Sequence, residues 1–223
     1  MNTVHFICTV ILLINVQMGI SERKEREKEA MRDTILDAAK KLFLDKGFEK
    51  TSIRNIADEI EYSPGTIYLY FKDKNELLLH LHYQAFGVMV TEFMAATPQE
   101  DPMDQLVQMG HQYIKFAIEN PEMYDLMFVM DAPMEALECN DEIWNDGMEA
   151  FGMLQNLVGV CIEAGYFKGQ DVDDLSLGIW GFMHGIVILK SKKRMSMFKD
   201  TESESEERMM RAFQTFTTML KAI

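Results

Sequence analysis

Residues 51–78 read TSIRNIADEIEYSPGTIYLYFKDKNELL, and the punctuation inside this stretch decides the fold. Thr51 or Ser52 offers a hydroxyl cap to a helix whose inward residues are Ile53, Ile56, Ala57 and Ile60. A second helix, predicted over Ser63–Tyr70, opens after only a few residues. Ser63 can cap it, Pro64 suits its first turn because the missing N–H would be unpaired there anyway, and Gly65 lets a backbone approach closely. The link between the two is too short for anything but helices crossing steeply, which is the helix-turn-helix arrangement. Asp73 then caps a further helix running through Glu76, Leu77, Leu78 and Leu81.

On the N-terminal side, Ile35, Leu36, Ala38, Ala39, Leu42 and Phe43 recur at helical spacing, and Gly47 stands where a left-handed cap ends that helix. Ser21 to Arg32 is a run of mixed charge that reads as a solvated arm or a frayed first helix. Val4 to Val16 is apolar, too short to span a bilayer, and without a basic leader or small-residue cleavage site. A start read too early, with Met18 opening the working protein, is the favoured explanation; an anchor or export signal is the alternative. On the C-terminal side the chain pauses at Pro98 and Pro102, and helical stretches follow over Met103–Asn120, Glu122–Met130, Glu142–Ala164, Asp173–Lys190 and Glu204–Ala222. The expectation is an all-α fold: an apolar leader over 1–20, a three-helix helix-turn-helix domain over 21–80, and a larger helical domain over 81–223.

The formal charge is −14, which at first argues against a polyanionic partner. Its distribution reverses that. Residues 21–80 hold 12 Lys and Arg against 13 Asp and Glu, and the rest of the chain 10 against 23. One end is close to neutral while the body is acidic, so stray nucleic acid is turned away from the wrong face. Cys8, Cys139 and Cys161 have no metal-ligand spacing, so neither a metal site nor a disulfide framework is expected, and free thiols suit a reducing cytoplasm. No Ser-His-Asp set, carboxylate pair or phosphate loop stands in a recognisable context, which excludes the common enzyme classes; no cofactor is implied.

The stretch from Ile35 through Phe43 to Gly47-Phe48, then Thr51 to Ala57, then Ser63 to Leu78, closely resembles the DNA-binding domain of TetR-family regulators over about fifty residues without a gap. The remainder is similar to a C-terminal class marked by Trp-Gly-x-x-His-Gly, here Trp180 to Gly185, with Asn120 to Tyr124 fitting too. One departure is Glu61, where the family usually has glycine in the inter-helix turn; a non-glycine residue in the left-handed region costs about 1–2 kcal/mol.

A helix-turn-helix sets its second helix in the major groove, N-terminal residues at the base edges. Ser63, Pro64, Gly65 and Thr66 are then the reading end, with Tyr68 and Tyr70 reaching outward to phosphates and Ile67 and Phe71 packing inward. The resemblance implies that Thr51, Ser52 and Lys74 grip phosphate; Arg54 is the best long donor for a base or backbone contact. It also implies a homodimer through the helices 142–164 and 173–190 on a palindromic operator, commonly as a repressor, answering to a small molecule. Nineteen methionines suit an adaptable apolar pocket, for which Tyr113, Phe116, Met127, Trp144, Phe151, Trp180 and His184 are the candidate lining. No stable membrane association is expected. The rival reading is a protein-interaction module that keeps the helix-turn-helix shape without binding DNA, for which Glu61 and the modest basic content speak.

Overall fold

A computed structural model describes the backbone of residues 3–130 and 141–222, and the side chains of residues 22–130 and 147–222. The expected leader, Trp144, Cys8 and Cys139 fall outside the described side chains. The described chain is all-helical. Its helices are α1 (Thr3–Lys46), α2 (Ile53–Glu59), α3 (Pro64–Ile67), α4 (Lys74–Met94), α5 (Pro102–Glu119), α6 (Pro121–Phe128), α7 (Asp141–Glu163), α8 (Val172–Ser191) and α9 (Glu202–Leu220), with a 3₁₀ turn at Arg194–Phe198 between the last two. The chain divides into two units, Met1–His80 and Leu81–Ile223.

In the first unit the run of mixed charge is solvated, residues 22–30 all being exposed, but it is not frayed: α1 passes straight through it, with Arg23 paired to Glu27 at 2.7 Å. Such exposed pairs contribute little, so the helix is held by its buried stripe, Ile35, Leu36, Ala39, Leu42 and Phe43. Gly47 (φ 85°) ends it, its N–H donating to the Phe43 carbonyl at 2.9 Å. Ser52, not Thr51, caps α2: its hydroxyl accepts from the Asn55 N–H (3.2 Å) while the Asn55 side chain accepts from the Ser52 N–H (3.0 Å). At the other end of α2, Glu61 does adopt the left-handed region (φ 60°). The Glu61 N–H donates to the Asp58 carbonyl (3.3 Å) and the Tyr62 N–H to the Ala57 carbonyl (2.9 Å), the paired bonds of a Schellman turn. The turn geometry is thus kept and the strain absorbed. The next helix is shorter than expected, ending at Ile67, and residues 68–70 continue as tight turns in which the Leu69 N–H donates to Thr66 and the Tyr70 N–H to Ile67. Asp73 accepts from the Glu76 N–H at 2.9 Å and the Glu76 carboxylate accepts from the Lys72 N–H, which starts α4 firmly.

In the second unit α5 packs on α6, α7 and α8, and α8 also packs on α7, α9 and the 3₁₀ turn. Asp101, Asp171 and Thr201 cap α5, α8 and α9 through backbone N–H groups. The core gathers Met103, Leu106 and Phe116 from α5, Val158 and Cys161 from α7, Met183 and Val187 from α8, and Met209 and Phe213 from α9. Burying each of the larger of these side chains is favourable by about 1.5–3 kcal/mol. By length and composition α8 could cross a membrane; in this structure it packs on α5, α7, α9 and the 3₁₀ turn. Gly110 of α5 lets α9 come close, since a Cβ there would stand 2.6 Å from the Phe213 ring.

Replacing Glu61 by Gly should raise stability by about 0.5–1 kcal/mol, the strain relieved exceeding the entropy that glycine adds to the unfolded chain. Urea unfolding would register this as a higher midpoint at unchanged slope.

Candidate functional site

The first unit turns a small surface of polar and apolar side chains outward around α3. Ile67 and Phe71 are sealed beneath it, while Ser63 and Gly65 are exposed, Tyr68 is 57 % exposed and Leu69 is 81 % exposed. Thr66 is half-buried, its N–H donating to the Ser63 hydroxyl at 3.2 Å and its own hydroxyl 3.1 Å from the same oxygen. Pro64 sits at the first helical position, half-buried. Ser52 and Arg54 are exposed at the start of α2.

The remaining expected contacts are held differently. Thr51 is 2 % exposed and its hydroxyl donates to the carbonyls of Leu42 (3.1 Å) and Gly47 (2.9 Å). It closes the α1–α2 turn and has no surface to offer a phosphate. Tyr70 is half-buried, and its carbonyl accepts from Arg32 at 3.0 Å. Lys74 lies across Phe48, its ammonium 4.1 Å from the ring centre and donating to the Phe48 carbonyl at 2.8 Å. An ammonium has three N–H donors, so this bond holds Lys74 in place and leaves donors for an anion.

Arg32, read from the sequence as the end of a solvated run, is a positioning residue. Its guanidinium stacks over Phe71 at 4.5 Å, donates to the Tyr70 carbonyl and lies 3.2 Å from His80 Nε2. Burial, and then the Arg32 charge, hold His80 below the usual histidine range, so its Nε2 accepts from Arg32. Leu69 and Tyr62 are also exposed beside α3 and were not anticipated. Leu69 could have been found only by knowing that the helix stops at Ile67.

The second unit encloses a cavity of about 410 Å³. Of the candidate lining residues, Tyr113, Met127, Phe151 and Trp180 stand in its wall. Phe116 is fully buried in the core and not in the wall, and His184 lies behind the wall, where it meets Tyr113. Unforeseen lining comes from α4 through His82, Phe86 and Met89, and from α9 through Phe213 and Leu220. Periodicity marks these residues as buried without saying which of them face a void.

Besides Thr217, whose hydroxyl donates to the Gln214 carbonyl at 3.0 Å, two polar groups interrupt the apolar wall. Tyr113, Tyr124 and His184 form a closed triangle: Tyr124 Oη lies 2.8 Å from His184 Nδ1, the two tyrosine oxygens are 3.1 Å apart, and Tyr113 Oη is 3.3 Å from His184 Nδ1. Burial pushes the Tyr113 phenol up to about 12 and raises Tyr124 as well, so both hydroxyls keep their protons and donate; burial lowers His184, which accepts. The second group is His82, buried on α4, with no hydrogen-bond partner for Nε2. Burial lowers its pKa to about 4, only partly opposed by the Leu126 carbonyl beside the ring.

The lowered value sets a pH dependence. The folded state resists the proton that the unfolded chain takes up near the ordinary histidine value, so His82 leaves stability unaffected above that value and lowers it as pH falls from about 6.5 to about 4. Between pH 7 and pH 5 this amounts to roughly 2 kcal/mol. Urea titrations at both pH values should show His82→Phe losing about that much less than the parent chain.

Two family descriptions match the chain: "Bacterial regulatory proteins, tetR family" over residues 35–81, and "Tetracyclin repressor-like, C-terminal domain" over residues 106–213. The "Probable acrEF/envCD operon repressor" of Escherichia coli (strain K12) is 25% identical over 180 residues, covering 75% of this chain and 79% of that protein. Among solved structures, the fatty acid degradation regulator FadR from Bacillus halodurans superposes with a TM-score of 0.64 at 20% identity, over 85% of this chain and 94% of that one. A transcriptional regulator of the TetR/AcrR family from Thermobifida fusca YX-ER1 gives 0.58 at 21% identity, over 82% and 96%. The two matched regions together take in more than half of the sequence, one around the exposed α3 and one around the cavity, and the chain belongs to the TetR family of bacterial regulatory proteins.

Proposed function

We propose that the chain is a cytoplasmic transcriptional repressor that binds a palindromic operator as a homodimer and is released by a small apolar effector. The observation that carries this reading is the surface of α3: Ser63, Gly65 and Tyr68 stand exposed over a sealed base of Ile67 and Phe71. Small side chains at the start of a helix let it approach base edges, and Leu69 offers an apolar contact to a thymine methyl. Ser52 and Lys74 set the register by gripping phosphate, while Arg54, Thr66 and Tyr68 discriminate sequence. The name of the Escherichia coli relative, an operon repressor, supports the direction of control.

One reading head makes few contacts, so the function needs a pair. The helices expected to pair, α7 and α8, carry exposed Met148, Val160, Leu177 and Leu189, apolar surface that a second copy would cover. The effector occupies the cavity of the second unit. α4 carries Lys74 in its first turn and the cavity-lining Phe86 and Met89 further along. A ligand that fits one arrangement of this helix better than another shifts the population of heads able to bind, and only that differential affinity does the work.

The test is fluorescence anisotropy of purified protein on duplexes selected from genomic DNA, over a range of salt. Lys74→Ala should weaken binding to all duplexes alike and reduce the salt slope by about one, whereas Thr66→Ala should alter the ranking of operator variants. Retention of no duplex at low ionic strength overturns the proposal and leaves the interaction module in its place. In sedimentation experiments Leu189→Glu should yield monomers that have lost operator binding yet remain folded by circular dichroism.

A further inference from the structure

One polar atom of the cavity wall is left over. Tyr113, Tyr124 and His184 satisfy one another, whereas His82 lines the cavity, is 4 % exposed and has no partner for Nε2. A neutral imidazole carries a single N–H. That N–H can stand on either ring nitrogen, and Nε2 is covered and without a partner in both cases. It is an unsatisfied polar atom beside a wall dominated by Phe, Met and Leu side chains. A buried polar atom without a partner is destabilising, and a ligand that supplies the partner removes that penalty.

We infer that His82 Nε2 is the polar specificity contact of the cavity, and that the effector is a neutral, largely apolar molecule bearing a hydroxyl, of the phenol or alcohol kind, which can donate to this nitrogen or accept from it. This rests on the effector reading proposed above and narrows it. A carboxylate brings a charge into the apolar wall, and no Lys or Arg lines the cavity among the described residues to neutralise it. An ammonium could donate, yet no Asp or Glu lines the cavity among the described residues either, and a buried unpaired charge is costly. A plain hydrocarbon fills the space and leaves Nε2 as it was. The atom is covered in the empty cavity, so the hydroxyl reaches it as the wall repacks; Met89 and Met127 are unbranched and suited to that movement. A volume of about 410 Å³ lies within the range of small-molecule pockets and has room for a two-ring aromatic.

The test titrates the full chain with 2-naphthol, naphthalene and 2-naphthoate near neutral pH by calorimetry. These share one ring system and differ in carrying a hydroxyl, nothing, or a carboxylate. Naphthol should bind about tenfold more tightly than naphthalene, the worth of one buried hydrogen bond, with naphthoate weakest. His82→Phe, which keeps a ring but no polar nitrogen, should bring naphthol and naphthalene within about twofold while leaving naphthalene affinity unchanged. His82→Gln, which retains a hydrogen-bonding group, should keep the preference for naphthol. Equal binding of naphthol and naphthalene to the parent chain overturns the role of His82 and leaves the effector cavity standing. Binding of none of the three overturns the cavity reading and the inference with it. Should His82→Phe fail to fold by circular dichroism, the parent chain and His82→Gln decide the matter.

Discussion

A helix of four residues cannot hold itself, and the working surface of this protein depends on holding one. Nucleating a helical turn fixes several backbone dihedrals for a single hydrogen bond, so α3 on its own would be coil in water. It is kept in place by its surroundings. Ile67 and Phe71 anchor it from below, Ser63 closes its start, and Arg32 fixes the Tyr70 carbonyl just beyond its end. Glu61 belongs to the same support. Its left-handed backbone reverses the chain within a Schellman turn, and without that reversal α2 and α3 could not cross so soon. The strain at Glu61 is the condition for so short a helix following α2 so closely.

The parts of this design written as local chemistry were legible in the sequence. Ser52, Ser63, Gly47 and Asp73 do at the helix ends what their side chains or backbone freedom suit them to do. The apolar stripe of α1 is buried where its period puts it. What the sequence withheld depends on partners distant along the chain. Thr51 and Ser52 are equivalent as candidate caps, and only the fold decides that Thr51 turns inward to Leu42 and Gly47. Arg32 reads as one more charge in a charged run until Phe71 and Tyr70 are brought beside it. The cavity shows the same limit. Hydrophobic period separates inside from outside, but Phe116 and Phe151 look alike to it, and one is packed core while the other faces a void.

The two units also treat polar groups in opposite ways. Around α3 the Ser63 hydroxyl is exposed even as it caps the helix, which leaves it able to exchange water for a further polar partner at little desolvation cost. Around the cavity of the second unit polar atoms are few and buried, so each must be satisfied or have a reason not to be. The triangle of Tyr113, Tyr124 and His184 is the satisfied kind: two phenols that keep their protons and one imidazole that accepts, joining α5, α6 and α8. It fixes one wall of the cavity by directional bonds where methionine alone would leave it free to drift.

An open apolar cavity is itself a destabilising choice, because side chains facing a void lose the dispersion contacts that packing would give them. A protein selected only for stability would fill it, and the means are at hand: Gly110 already admits the Phe213 ring against α5, and small shifts of Met183 or Phe86 would take up more of the space. The space persists between well-capped helices, so the scaffold carries the stability and the cavity is left free to be filled from outside. A ligand bound only by the folded state then adds stability in proportion to the logarithm of its concentration over its dissociation constant. The same free energy, where it is unequal between two arrangements of α4, shifts the population between them.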